Sequence, residues 1–131
     1  MTNNNPGLPE LISTIKELRG EDGCPWDKRQ SSSSLIKHLR SECEELVAAI
    51  NNNDPANTCE ELGDLLYLIV MFSEIHNDHG DFNLSDVIRT VNEKLIRRHP
   101  HVFAGLTYDN EEQLATQWKA IKAEEKKKNS V

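Results

Sequence analysis

The 131-residue chain has no long apolar run, no surplus of basic residues, no paired cysteines and almost no strand-like alternation. Each absence removes a class of function. The longest uninterrupted apolar stretch, Leu65–Phe72, falls far short of the ~20 residues that a membrane span needs, so no membrane association is expected. The opening Met-Thr-Asn-Asn-Asn-Pro does not follow the basic-then-apolar order of a secretory leader. Lys and Arg total 15 against 22 Asp and Glu, a formal charge of −7. Proteins that hold a nucleic-acid backbone gather cations to displace its counterions, so no nucleic-acid polymer is expected as a partner. Cys24, Cys43 and Cys59 are odd in number, widely spaced and free of any CxxC pair. They predict a reducing, cytoplasmic setting rather than a disulfide framework, and they make a poor zinc site.

What is present is helical periodicity. The length suits one domain able to bury its own core. Pro9 can open a first helix whose apolar stripe is Leu11, Ile12, Ile15 and Leu18, and Gly20 and Gly23 lead into a loop over Glu21–Gln30. Ser31–Ser34 offer an N-cap for a second helix carrying Leu35, Leu39, Leu46, Val47 and Ile50, stopped by Asn51–Asn53. Asp54-Pro55 reads as the start of a third helix, apolar on more than one face between Leu62 and Ile75, and therefore central. Asn83 or Ser85 caps a fourth helix with Val87, Ile88, Val91 and Leu95, ended by Pro100. A fifth begins near Asn110 with Leu114, Trp118 and Ile121, and dissolves into the charged run Glu124–Lys128. The expectation is a single-domain, all-α bundle of about five helices: residues 1–7 a flexible N-terminus, 8–126 the domain, 127–131 a charged tail.

Two acidic pairs stand out. Glu42 and Glu45 on the second helix, and Glu61 and Asp64 on the third, are each three residues apart, which places each pair on one helix face. The short connection between the helices makes them antiparallel neighbours, so the pairs can face each other across the seam. Gathered carboxylates repel and raise each other's pKa unless a cation neutralises them. Oxygen ligands suit Mg²⁺ or Mn²⁺, whose remaining positions go to water or substrate phosphate. A solvated acidic face is the plainer alternative. Position favours the metal: the first pair borders the apolar stripe, and the second leads into the most apolar segment. Lys94, Arg97 and Arg98 on the fourth helix supply cations suited to a polyphosphate, or else compensate the helix dipole. Trp26 and Trp118 read equally as core aromatics. His99 and His101, flanking Pro100, read as a structural turn whose ring N–H groups fix loop backbone, and His76 and His79 as a solvated pair.

Five segments in order carry a resemblance: Cys24-Pro25-Trp26-Asp27; Glu42-x-x-Glu45; Glu61-Leu62-Gly63-Asp64-Leu65-Leu66; Lys94-Leu95-Ile96-Arg97-Arg98-His99-Pro100-His101-Val102-Phe103; and Trp118-Lys119-Ala120-Ile121-Lys122. Over roughly residues 8–126 the chain resembles the MazG family of nucleoside triphosphate pyrophosphohydrolases. The resemblance implies an all-α fold, a homodimer or larger oligomer, and Mg²⁺-dependent hydrolysis of a nucleoside triphosphate to monophosphate and pyrophosphate. It implies Glu42, Glu45, Glu61 and Asp64 as metal ligands, Lys94 and Arg98 as phosphate contacts, Trp118 as a nucleotide contact, and His38 as a residue lining the same cleft. The chain departs from the family at Ser41, where the acidic motif usually has another glutamate. That carboxylate would serve a second metal or the attacking water; its loss leaves the principal metal site intact. Narrower enzymes of the same fold, acting on dUTP or phosphoribosyl-ATP, and a non-catalytic nucleotide-binding module are the alternatives.

Overall fold

The computed structural model describes residues 6–129, and residues 1–5 of the segment read as flexible lie outside them. The described chain is helical, with no strand. It contains α1 (Leu8–Leu18), α2 (Pro25–Arg29), α3 (Ser32–Asn51), α4 (Pro55–Asp78), α5 (Leu84–Arg98), α6 (Pro100–Phe103) and α7 (Glu111–Asn129). Contacts divide it into two compact units, Met1–Leu84 and Ser85–Val131.

In the first unit, α4 packs along α3 and against α1. Ser31 caps α3 by accepting from the Ser34 N–H, and Asp54 caps α4 by accepting from the Asn57 N–H at 3.2 Å. Between them the chain reverses through Asn53, in the left-handed region at φ 51°, with the Asp54 N–H returning to the Ala49 carbonyl. Asn tolerates that conformation better than most residues, which is why the asparagine run ends the helix so sharply. The reversal makes α3 and α4 antiparallel: residues late in α3 lie beside residues early in α4, and Ser32 at the start of α3 meets His76 near the end of α4. The core is Ile15, Leu35, Ala49, Leu68, Val70, Met71, Ile75 and Leu84. Glu74 is also buried, paired with Lys16 at 3.2 Å. The greasy middle of α4 is only partly covered: Leu62, Leu66 and Ile69 remain 52, 40 and 41% exposed, and Val47 and Ile50 on α3 are more than half exposed.

Two short helices were not anticipated. The loop expected over Glu21–Gln30 contains α2, and Pro100 opens α6 as well as following α5. Both begin with proline, whose fixed φ and missing N–H suit a first helical turn. The Cys-Pro-Trp-Asp motif thus has a structural task. Asp27 is buried and accepts a hydrogen bond from the Tyr67 hydroxyl of α4, while Arg19 donates to the Asp27 carbonyl at 2.6 Å. Burial, together with the neighbouring Asp27 carboxylate, pushes the Tyr67 phenol well above its usual range, so it stays a donor.

Gly23 sits where the chain doubles back after α1, with the next N–H bonded to the Leu18 carbonyl at 2.8 Å. A Cβ there would collide with the Leu18 and Glu17 carbonyl oxygens. Gly23→Ala is therefore expected to cost about 1–3 kcal/mol, the usual range for overpacking, measured as a lower urea midpoint with unchanged slope.

Helix α5, whose residues from Ser85 onward belong to the second unit, begins at Leu84, which puts Asn83 rather than Ser85 at its N-terminus. Helix α7 does not dissolve at Glu124 but continues to Asn129, because Lys and Glu are good helix formers even without an apolar stripe.

Candidate active site

The acidic residues come together as the antiparallel hairpin requires. Glu42 and Glu45 of α3 and Glu61 of α4 each offer a carboxylate oxygen, and the three lie within 4.8 Å of one another. No other group of three or more His, Cys, Asp or Glu side chains is arranged to hold a metal among the described residues. Glu42 and Glu61 are half-buried and Glu45 is exposed. Asp64 is exposed and lies outside the set of three, yet its charge acts on both Glu42 and Glu61.

The electrostatics follow from that crowding. Burial, then the neighbouring Glu45 carboxylate, pushes the Glu42 carboxyl up from its ordinary 4.5 to about 7, with Asp64 and Glu61 adding to the effect. The Glu61 carboxyl is also raised, chiefly by burial and the Glu45 charge. Glu42 Oε2 and Glu61 Oε2 are buried and have no hydrogen-bond partner. Orphaned carboxylate oxygens are costly, and converging ones fit a hard divalent cation in donor type and charge. Ser41, where the family pattern has another carboxylate, is exposed beside this set. His38 stands one turn before Glu42, its ring against Trp26 with centroids 5.3 Å apart.

In the second unit, α5 and α7 bring Arg97, Arg98 and Trp118 into one cluster with Lys122 and Glu125, to which the sequence reading assigned no site role. Trp118 is 43% exposed, so it is no core aromatic; the Lys122 ammonium lies 4.5 Å from its ring centre and the Arg98 guanidinium 6.0 Å. Glu125 binds both arginines, at 2.6 Å to Arg97 Nε and 2.9 Å to Arg98 Nη2. Arg98 Nε also donates to Glu125, at 3.2 Å. Those two arginines, Arg98 first, hold the Glu125 carboxyl down at about 2. Lys94 is half-buried and makes no ion pair among the described residues. The i, i+4 step from Trp118 to Lys122 was visible in the sequence, whereas the Glu125 contact spans 27 residues and has no local signature.

A carboxyl depressed by its partners stabilises the fold above its ordinary pKa and loses that contribution as pH falls. Glu125→Gln is thus expected to lower the thermal midpoint at pH 7. It should also flatten the decline in stability that the wild type shows between about pH 4.5 and about pH 2, followed by circular dichroism.

His99 Nδ1 lies 2.6 Å from the Leu95 carbonyl, which fits the structural-turn reading of that histidine. Cys24, Cys43 and Cys59 are all free thiols. No helix among the described residues is long and apolar enough to cross a membrane.

Comparison with known proteins now decides the family. The model of the MazG nucleotide pyrophosphohydrolase domain matches residues 30–103, more than half of the chain. The chain belongs to the MazG family. It is 46% identical over 122 residues to the nucleoside triphosphate pyrophosphohydrolase/pyrophosphatase MazG of Thermotoga maritima, covering 91% of this chain and 45% of that protein. It is 35% identical over 120 residues to the nucleoside triphosphate pyrophosphohydrolase of Escherichia coli, covering 91% of this chain and 46% of that one. The chain therefore spans less than half the length of these MazG relatives. A crystal structure of a MazG-related protein from Thermotoga maritima superposes with a TM-score of 0.73 at 32% identity, covering 88% of this chain and 99% of that one. The all-helical MazG fold is thus established for this chain.

Proposed function

We propose that this chain hydrolyses nucleoside triphosphates to the monophosphate and pyrophosphate with Mg²⁺ (Mn²⁺ substituting), clearing surplus or aberrant nucleotides in the cytoplasm. One observation carries the reading: three carboxylates from two helices converge within 4.8 Å, with two of their oxygens buried and unpartnered. Family membership supports the reaction class.

Glu42, Glu45 and Glu61 would hold the cation, with Asp64 completing the set. When bound, a divalent cation neutralises phosphate charge and lowers the pKa of water, so that hydroxide is available near neutral pH. Where the cation takes no more than one oxygen of Glu45, the exposed member of the set, its other oxygen would orient the attacking water and accept its proton. The resemblance to the family would give Lys94 and Arg98 the task of neutralising phosphate oxygens and the exposed Trp118 indole that of a nucleotide contact. Water adds to the α-phosphorus and pyrophosphate leaves.

The exposed apolar side chains Val47, Ile50, Leu62, Leu66 and Ile69 support a homodimer or larger homo-oligomer that covers them. Light scattering at micromolar concentration is expected to give at least twice the chain mass, and a monomer would refute it.

A panel of nucleoside triphosphates, each with Mg²⁺ and with chelator, tests the reaction. Pyrophosphate released only with the metal supports it. Orthophosphate as product contradicts it, turnover of dUTP or phosphoribosyl-ATP alone supports the narrower enzymes, and binding without turnover supports the non-catalytic module.

A further inference from the structure

His76, read with His79 as a solvated pair, is partly exposed as that reading expects, yet it is also held by two side chains. Its Nε2 lies 3.2 Å from Ser32 Oγ and its Nδ1 3.0 Å from Asp81 Oδ2, while its ring stacks on Phe82 at 4.6 Å. Serine, histidine and aspartate are thus joined in the order nucleophile, base, orienting carboxylate. This set uses none of the residues assigned to nucleotide hydrolysis.

Each member is placed by the backbone. Helix α4 ends in a left-handed Gly80 at φ 78°, with Gly80 N–H bonded to the Asn77 carbonyl and Asp81 N–H to that of His76, both at 3.0 Å. This closing turn returns the Asp81 carboxylate to the ring of His76. An Nδ1–H donated to Asp81 leaves Nε2 as the acceptor for the Ser32 hydroxyl. Ser32 is the first residue of a 20-residue helix whose N-cap is Ser31, so its own hydroxyl is not needed to cap the helix. As first and second helical residues, Ser32 and Ser33 have backbone N–H groups without intrahelical acceptors, which are free to donate to a developing oxyanion.

We propose that Ser32, His76 and Asp81 form a second hydrolytic centre that acts on small carboxylic esters through an acyl-serine intermediate. Ser32 Oγ bonds to the ester carbonyl carbon and its proton passes to His76 Nε2. The carbonyl re-forms as the C–O bond to the alcohol breaks, and the leaving oxygen takes the proton from Nε2. Water then adds to the acyl carbon, giving its proton to Nε2. The bond between the acyl carbon and Ser32 Oγ breaks, and Oγ recovers that proton as the carboxylic acid departs. Asp81 stays ionised throughout. The His76 and Asp81 side chains are 35 and 54% exposed, so the orienting contact is partly solvated. That limits the centre to esters with a good leaving group and a short acyl chain.

The test is p-nitrophenyl acetate added to the intact protein. The expected result is rapid release of nitrophenolate and an acetyl group on the peptide containing Ser32. Ser32→Ala and His76→Gln should each slow release by at least about 10²-fold, and Asp81→Asn by about tenfold, with the helical circular dichroism of each variant unchanged. Release from Ser32→Ala at the wild-type rate, or acetyl groups found only on lysines, would overturn the proposal.

Discussion

Glu61→Gln is expected to lose pyrophosphate release by at least about 10²-fold and to stay folded. The side chain keeps its shape and loses its charge. In the wild type, Glu61 presents a buried oxygen without a partner to the space it shares with Glu42 and Glu45. An amide there offers one weak oxygen or an N–H₂ group, and neither replaces a carboxylate ligand. The metal-free fold responds in the opposite sense. Neutralising one of three crowded acids relieves repulsion, so at pH 8 without metal the variant should unfold at the same temperature as the wild type or higher. A general folding defect would lower activity and stability together. Wild-type activity in the variant would remove Glu61 from the site.

The second large effect is a coupling of cation, proton and stability. Glu42 carries a carboxyl raised to about 7 in the folded protein against an ordinary value of 4.5. Between those values the folded state binds more protons than the unfolded state, so the metal-free protein loses stability as pH rises through this window. The contribution is fully present below about 4.5 and spent above about 7. A cation needs the same oxygens deprotonated, so its stabilising effect grows as the protonic one fades. At pH 7.5, Mg²⁺ or Mn²⁺ at about 100 times its dissociation constant should contribute about 2.7 kcal/mol, a rise on the order of 10 °C in the thermal midpoint. At pH 5 the rise should nearly vanish. Equal shifts at both pH values would mean that the cation binds elsewhere.

Much of this arrangement was readable in the residues, for physical reasons. Helices longer than ten residues announce themselves by period, and the capping residues Ser31 and Asp54 mark the starts of α3 and α4. The acidic convergence follows from local facts alone: two i, i+3 pairs and a connection too short for anything but an antiparallel hairpin. The illegible parts are those decided at long range or within one turn. Helices α2 and α6 are too short to show a period, and proline was read at Pro100 as a stop when it also serves as a start. The charged run Glu124–Lys128 has no apolar stripe, so only the helix propensity of Lys and Glu speaks for a helix there, and nothing in it foretells the grip of Glu125 on two arginines. The bond from Ser32 to His76 spans 44 residues, and no spacing rule reaches that far. The Cys-Pro-Trp-Asp segment was legible as a motif, yet its buried tie from Asp27 to Tyr67 was not.

A crystal soaked with Mn²⁺ and measured for anomalous scattering at the manganese edge would locate the cation itself. A peak among the carboxylates of Glu42, Glu45, Glu61 and Asp64, absent from Glu61→Gln, is the predicted result. A peak at another position, or none at millimolar Mn²⁺ and pH 7.5, would contradict a metal-dependent hydrolysis at this site.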